Sequence, residues 1–234
     1  MNRNQAIDVI RGIDLVFMVA FNYSVTLSYF GLIERQSDFL YSFIFPRAIA
    51  FIFIFLSGVA AFIGYDKEKD GFRNRYFRRG VKLLIFAAFV TLFTYLFVPE
   101  GTVFFGILHF FAATSFLLPF FIKYKRLNLM AGSFIILAGI YLQQVEFNFK
   151  YLFWLGFMPE NLNTFDYFPL IPWLGVLMLG VYSGKYIVEK TKDIKFKNKL
   201  AGIFTFFGRN SLIIYLVHQP VLVVLLMVSG FKTF

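Results

Sequence analysis

The sequence predicts an all-α membrane protein, a polytopic bundle of seven transmembrane helices. Of its 234 residues, 59% are hydrophobic and only 15% are charged, and there is no cysteine. Soluble domains carry about a quarter charged residues, so this composition excludes a soluble enzyme, a disordered chain and a disulfide-stapled secreted fold. The apolar residues form continuous runs without the alternation of a β-barrel, and helices then satisfy the backbone within the bilayer.

Seven segments are apolar enough to cross a bilayer, which takes roughly 20 residues. Five contain no charged residue: Leu15–Ile33, Gly101–Ile122, Leu127–Val145, Tyr167–Gly184 and Asn210–Phe231. The other two are Leu83–Pro99 and Phe39–Tyr65, and the second contains Arg47. Two shorter apolar pieces, Tyr151–Pro159 and Leu200–Phe207, are expected to be interfacial or re-entrant. Because no repeat or linker divides the chain, we expect residues 1–234 to form one domain.

The distribution of basic residues predicts the orientation of the bundle. Nineteen of the 23 lie before span one or in the loops on that side, whereas the opposite side has only Arg35, Lys150 and Lys232. Cytoplasmic loops are the ones enriched in Lys and Arg. We therefore expect a cytoplasmic N-terminus and an external C-terminus. The net charge of +10 then reflects topology and gives no reason to expect nucleic-acid binding.

Four polar side chains from four spans are predicted to lie deep in the membrane: Asn22, Arg47, His109 and His218. A rise of 1.5 Å per residue places each about 9–15 Å from a membrane face. Ionisable groups at such depths are costly and mark functional sites. Three of them also have a structural interpretation: Arg47 can extend outward along its helix, and either histidine can be a hydrogen-bonded core residue.

Local sequence gives these positions some context. Pro46 precedes Arg47 and Pro220 follows His218, so both helices are expected to kink there. Arg11 and Asp14 are three residues apart, which suits either a structural salt bridge or a polar stripe leading inward to Asn22. Asp166 precedes two prolines at the mouth of span six. It is either part of an aromatic belt or an acid above a polar cavity.

Gly180 and Gly184 form a small-xxx-small pair, which favours helix packing. The two histidines lie on separate spans and there is no phosphate-binding glycine loop, so we expect no metal site.

Five blocks of sequence together resemble the heparan-α-glucosaminide N-acetyltransferase catalytic family. They are Asp8–Ile13 leading to Asn22-Tyr23, Phe53–Gly58, Phe105–Phe110, Asp166–Val176 and Gly208–Pro220. The last block, GRNSLIIYLVHQP, is the most specific, and the five cover essentially the whole chain in order.

The resemblance implies a membrane acyltransferase that moves an acetyl or other acyl group from cytoplasmic acyl-CoA. The implied acceptor is an amine or hydroxyl of an extracytoplasmic sugar or glycolipid. Asn22 matches an active-site asparagine and His218 a histidine of the last block, whereas Arg47 and His109 match positions typical of shorter prokaryotic relatives. We therefore expect a prokaryotic plasma-membrane protein, for which a homo-oligomer is possible, with Arg11, Arg209 and Asn210 binding the acyl-CoA.

One departure from the family pattern leaves the catalytic base open. The lysosomal enzyme has a histidine after span one, but the matching stretch here, Tyr29–Ile33, has none. His109 or His218 could supply the base, or Glu34, Asp38 or Asp166 could assist direct transfer. Two non-enzymatic alternatives also stand: a small transporter or flippase, and a membrane assembly protein whose polar groups join helices.

Overall fold

A computed structural model describes residues 4–34 and 37–228, apart from the side chains of Val223, Val224 and Met227. Within these residues the chain forms eight α-helices and no β-strand, which confirms the predicted all-α class. The helices are α1 (Gln5–Tyr29), α2 (Phe45–Lys67), α3 (Lys69–Phe97), α4 (Ile107–Phe121), α5 (Lys125–Leu142), α6 (Leu170–Thr191), α7 (Lys199–Arg209) and α8 (Ser211–Val228). Arg3, Arg35, Lys232 and the predicted end of the last span at Phe231 lie outside the described residues.

Several helices are long and apolar enough to cross a membrane. In the described part of the chain there are four such segments, Leu40–Lys67, Lys69–Phe97, Lys125–Leu142 and Leu170–Thr191. A fifth span arises if α7 and α8, which are bent by 86° relative to each other, together make one broken span. The described residues therefore contain four or five apolar helices of spanning length, as expected of an integral membrane protein.

The other two predicted spans correspond to α1 and α4. The α4 helix has only 15 residues, because residues 101–106 of the predicted span form a turn and a loop before it. The α1 helix has 25 residues, but Asp8, Arg11 and Asp14 in its first half lower its mean hydropathy. Spanning by these two helices stays a prediction, as does the orientation of the bundle.

The chain divides into two compact units, and α2 and α6 each contribute residues to both. The first unit comprises Met1–Leu56 and Tyr186–Phe234. The prediction of a single domain stays a prediction.

In the first unit, α1 packs closely against α7 at two glycines. A Cβ atom on Gly12 would lie 2.7 Å from the carbonyl carbon of Phe204, and one on Gly208 would lie 2.8 Å from that of Asp8. Because Gly12 faces Phe204 and Asp8 faces Gly208, the two helices run in opposite directions. Only residues without a side chain allow the backbones to approach so closely.

The second unit, Ser57–Lys185, includes close contacts between α3 and α4 and between α2 and α6. Gly80 packs on Phe116 and Thr91 reaches His109, so α3 and α4 are antiparallel. Gly58 lies against Leu177 and Gly184 against Phe62, so this part of α2 runs parallel to α6. The predicted packing role of Gly180 and Gly184 is confirmed, since both lie at the contact with α2.

The two short apolar pieces adopt different structures. Tyr151–Pro159 contains a 3₁₀ turn, Phe153–Leu155, and Pro159 forms an isolated bridge with Phe147. Leu200–Phe207 lies within α7, an amphipathic helix whose buried residues include Ala201, Thr205 and Gly208. The expectation that neither piece spans a membrane by itself agrees with these short structures.

Candidate active site

His218 on α8 is buried, and only one of its two ring nitrogens has a hydrogen-bond partner among the described residues. Its Nδ1 lies 2.6 Å from the carbonyl oxygen of Tyr215, and since a carbonyl only accepts, Nδ1 carries the hydrogen and donates it. Its Nε2 is buried and has no hydrogen-bond partner among the described residues, and the residue is only 8% exposed. This tautomer leaves the Nε2 lone pair available to accept a proton. The α8 helix is assigned from Ser211 to Val228 with Pro220 inside it, and the kink expected at this proline stays a prediction.

Asn22 on α1 lies at a similar level of the first unit. Thr26 Oγ1 is 3.3 Å from Oε1 of Gln219, the residue directly after His218, and this contact sets the register of α1 against α8. Asn22 is one helical turn before Thr26, and its backbone carbonyl accepts from the Thr26 hydroxyl at 2.8 Å. The side chain of Asn22 is half-buried. The structure therefore brings Asn22 and His218 to neighbouring turns of two contacting helices.

The three residues expected to bind acyl-CoA lie at the other end of these helices. Arg209 Nε is 3.4 Å from Oδ2 of the buried Asp8, and Arg11 donates to the carbonyl of Leu56 at 3.0 Å. Asn210 occupies the bend between α7 and α8, and its side-chain amide donates to the carbonyl of Phe206 at 2.8 Å. Arg209 and Asn210 thus lie at the end of α7, whereas Arg11 reaches α2.

Asp14 is a feature that sequence reasoning underestimated. The residue is only 4% exposed, and its buried Oδ2 has no hydrogen-bond partner among the described residues. Arg11, the partner expected from the spacing, interacts electrostatically with Asp14, and its guanidinium also donates to the Leu56 carbonyl at 3.0 Å. Burying a carboxyl oxygen without a hydrogen bond is unfavourable. The signal was present in the sequence as one of three charged residues in the first half of α1.

Arg47 lies on an exposed surface at the start of α2. Its guanidinium stacks on the Phe43 ring, 3.5 Å from the centroid, and donates to the Phe43 carbonyl at 3.2 Å. Phe43 belongs to a π-helical turn, Leu40–Ile44, which accommodates Pro46. The side chain thus extends back along its own helix, in the direction that the snorkelling interpretation expects.

His109 on α4 has both ring nitrogens occupied. Its Nδ1 accepts from the Gly106 N–H at 3.3 Å, and its Nε2 lies 3.2 Å from Thr91 Oγ1. Thr91 gives its one hydroxyl hydrogen to the carbonyl of Val103 at 2.6 Å, so Nε2 must be the donor to Thr91. His109 therefore joins α3, α4 and the loop between them, and neither nitrogen is open to a substrate.

Asp166 caps the same end of α4 from a distant part of the chain. Its Oδ2 accepts from the Ile107 N–H at 2.9 Å, and Gly106 makes room for it, because a Cβ there would lie 2.7 Å from the carboxyl carbon. A carboxylate at a helix N-terminus satisfies an unpaired N–H and favours the helix dipole. The neighbouring Tyr167 donates to the Phe153 carbonyl at 2.7 Å, and burial raises the pKa of its hydroxyl to about 12.

Two other features of the described residues bear on ligands. In the second unit a small opening is lined by residues that include Ser57, Tyr76, Thr114 and Ser115, with Arg79 beside them. No group of three or more His, Cys, Asp or Glu residues that could hold a metal occurs in the described ranges.

The described residues contain apolar helices of spanning length and a buried histidine, His218, whose Nε2 has no hydrogen-bond partner among them. These features define an integral membrane protein with a polar site. The chain belongs to the heparan-α-glucosaminide N-acetyltransferase catalytic family, whose model matches residues 3–220. This confirms the resemblance drawn from the five sequence blocks, and the family indicates a membrane acyltransferase. No curated protein and no solved structure matches the chain significantly.

Proposed function

We propose that this protein transfers an acyl group, acetyl in the first instance, from cytoplasmic acyl-CoA to an extracytoplasmic acceptor. The acceptor is an amine or hydroxyl of a sugar or glycolipid. The observation that carries the proposal is the buried Nε2 of His218, which has no hydrogen-bond partner among the described residues while Nδ1 is fixed by Tyr215. Membership of the acetyltransferase catalytic family supports the reaction class.

His218 acts as the general base in this proposal. Its Nε2 takes the proton from the acceptor N–H or O–H as that atom forms a bond to the thioester carbonyl carbon. As the carbon–sulfur bond breaks, His218 returns the proton to the sulfur, which leaves as the free thiol. The products are an amide or ester and CoA, and His218 ends neutral.

Asn22 is proposed to polarise the acyl carbonyl through its side-chain amide. Its place one turn from Thr26, which contacts Gln219, supports a position near His218. A neutral donor aimed at the oxygen that gains negative charge stabilises the transition state. Arg47 is directed along an exposed surface and is left out of this role.

His109 and Asp166 are proposed as positioning residues. His109 uses both ring nitrogens within the protein, and Asp166 caps α4. Their shared effect is to fix the start of α4 and the loop before it. These contacts support His218 over His109 as the proposed base.

The proposed topology has seven spans with the N-terminus in the cytoplasm of a prokaryotic cell. The alternating helix directions within the second unit support it, since α3 is antiparallel to α4 and α2 is parallel to α6. Arg11, Arg209 and Asn210 then lie toward the cytoplasm, where a positive potential attracts the anionic acyl-CoA.

A labelled-donor assay tests the proposed activity. Purified full-length protein is incubated with radiolabelled acetyl-CoA and extracted membrane glycans and glycolipids, and the label on the acceptors is measured. Label that depends on the protein and the donor supports acyl transfer. Acceptor movement across proteoliposomes without any acyl donor, in the absence of label transfer, would instead make the protein a flippase.

A further inference from the structure

The outward face of α3 carries two cations that have no partner among the described residues. Arg78 and Lys82 are exposed and have neither an ion pair nor a hydrogen bond with any described residue. Their neighbours differ, since Arg75 pairs with Glu68 and donates to the Gly64 carbonyl at 2.6 Å, and Arg79 lies 3.5 Å from the Tyr76 hydroxyl. Arg75 and Arg79 are exposed as well, but each has a partner within the protein, whereas Arg78 and Lys82 have none among the described residues.

The same face of α3 becomes apolar immediately beyond these cations. Ile85, Phe89, Leu92 and Leu96 follow Lys82 at helical spacing, and all are exposed, with Phe89 at 66%. The opposite face, with Phe72, Tyr76, Leu83 and Ala87, is buried. From Arg78 to Leu96 the stripe extends about 27 Å at 1.5 Å per residue, close to the thickness of the hydrocarbon core.

Beyond Asp70 in the first turn of α3, the sequence provides no acid on this helix to neutralise the pair. From Gly71 to Pro99 there is no Asp or Glu. Residues four apart on a helix have Cβ atoms about 5–6 Å apart, so Arg78 and Lys82 can contact one phosphate group together. Hydrogen bonds of this kind, between a cation and a phosphate, are among the strong ones.

We propose that this face binds an anionic glycerophospholipid, with its headgroup phosphate between Arg78 and Lys82. An acyl chain of the lipid lies along Ile85, Phe89 and Leu92. The charge complementarity and the change from cationic to apolar surface along one stripe select a lipid over a soluble anion. The proposal is independent of acyl transfer, because no acyl donor or acceptor takes part in it.

Native mass spectrometry of the purified full chain tests the site. The protein is released from detergent in the presence of equal amounts of phosphatidylglycerol, phosphatidylethanolamine and phosphatidylcholine. We expect retention of phosphatidylglycerol above phosphatidylcholine, and a fall in that preference of about 10-fold to 30-fold in R78Q/K82Q. The matched control K195Q/K197Q removes two exposed cations from the loop before α7 and should keep the preference.

Three results would overturn the proposal. The first is an unchanged lipid preference in an R78Q/K82Q protein whose melting temperature matches the wild type. The second is displacement of the lipid by inorganic phosphate or adenosine 3′,5′-bisphosphate, which would make the pair a site for a soluble phosphate. The third is a dimer that R78Q/K82Q dissociates, which would assign this face to a second copy of the chain.

Discussion

The contact between α1 and α7 makes a prediction about Gly208. In Gly208→Ala the new methyl group would lie 2.8 Å from the carbonyl carbon of Asp8, and closer to its oxygen. The neighbouring atoms belong to backbone, so no side chain can move aside. The helices would have to separate by more than about 0.6 Å, because that shift restores the 3.4 Å of ordinary contact to the carbonyl carbon alone and the oxygen is closer. Gly202, on the same helix, is the matched control, because a methyl group there would have no other atom within 4 Å.

The expected effects have opposite signs. Overpacking costs about 1–3 kcal/mol, whereas Ala in place of an exposed helical Gly gains up to about 1 kcal/mol. The free energies of unfolding of G208A and G202A should therefore differ by about 1–4 kcal/mol. In a chain of this size that separates the two melting temperatures by about 2–16 °C. Far-ultraviolet circular dichroism of the detergent-solubilised proteins measures both.

Gly12→Ala provides a second check on the same contact. It should destabilise the protein as G208A does, because its methyl group would lie 2.7 Å from the carbonyl carbon of Phe204. One separation of the helices relieves both clashes, so the double variant should lose less than the sum of the two. Equal melting temperatures for G208A and G202A would show that α1 and α7 do not pack as described.

Three further predictions concern the second unit. The free energy of unfolding should fall as pH rises from 10 toward 12, because the pKa of Tyr167 is 10.0 in the unfolded chain and about 12 in the folded one. Thermal melts across that pH range measure this loss of stability, and Y167F should not show it. Asp166→Ala should lower the melting temperature by about 2–8 °C through loss of the α4 cap, and D166N, which keeps an acceptor oxygen, by less. Thr91→Val should also lower it, by about 2–8 °C, because both His109 Nε2 and the Val103 carbonyl lose a partner; an unchanged melt would contradict the network.

The all-α class and much of the span pattern could be predicted because both depend on local composition. Continuous apolar runs already require helices in lipid, whatever the tertiary structure. The ends of helices were harder to predict. The α4 helix begins at Ile107, several residues inside the predicted span, because Asp166 from another part of the chain supplies its cap.

In the candidate site, too, the polar residues could be identified from the sequence, whereas the contacts that distinguish them depend on the tertiary structure. Sequence identified His109 and His218 as polar groups in apolar helices but could not distinguish them. The difference comes from partners: Thr91, 18 residues before His109 in the chain, occupies the nitrogen whose counterpart in His218 has no partner among the described residues. For Arg47, the choice between a functional site in the membrane and a side chain that extends outward depends on the direction of the side chain, which cannot be read from the sequence.

The central proposal, that His218 is the base of an acyl transfer, is tested most directly by comparing two single variants. Transfer of label from acetyl-CoA to the acceptor is measured for His218→Ala and His109→Ala at protein concentrations matched for folded material. Loss of a general base predicts a fall of at least about 100-fold in H218A. H109A, which loses two internal hydrogen bonds, should melt at a lower temperature and keep its rate within a few-fold when folded. Full transfer by a folded H218A, or loss of transfer confined to a folded H109A, would contradict the proposal.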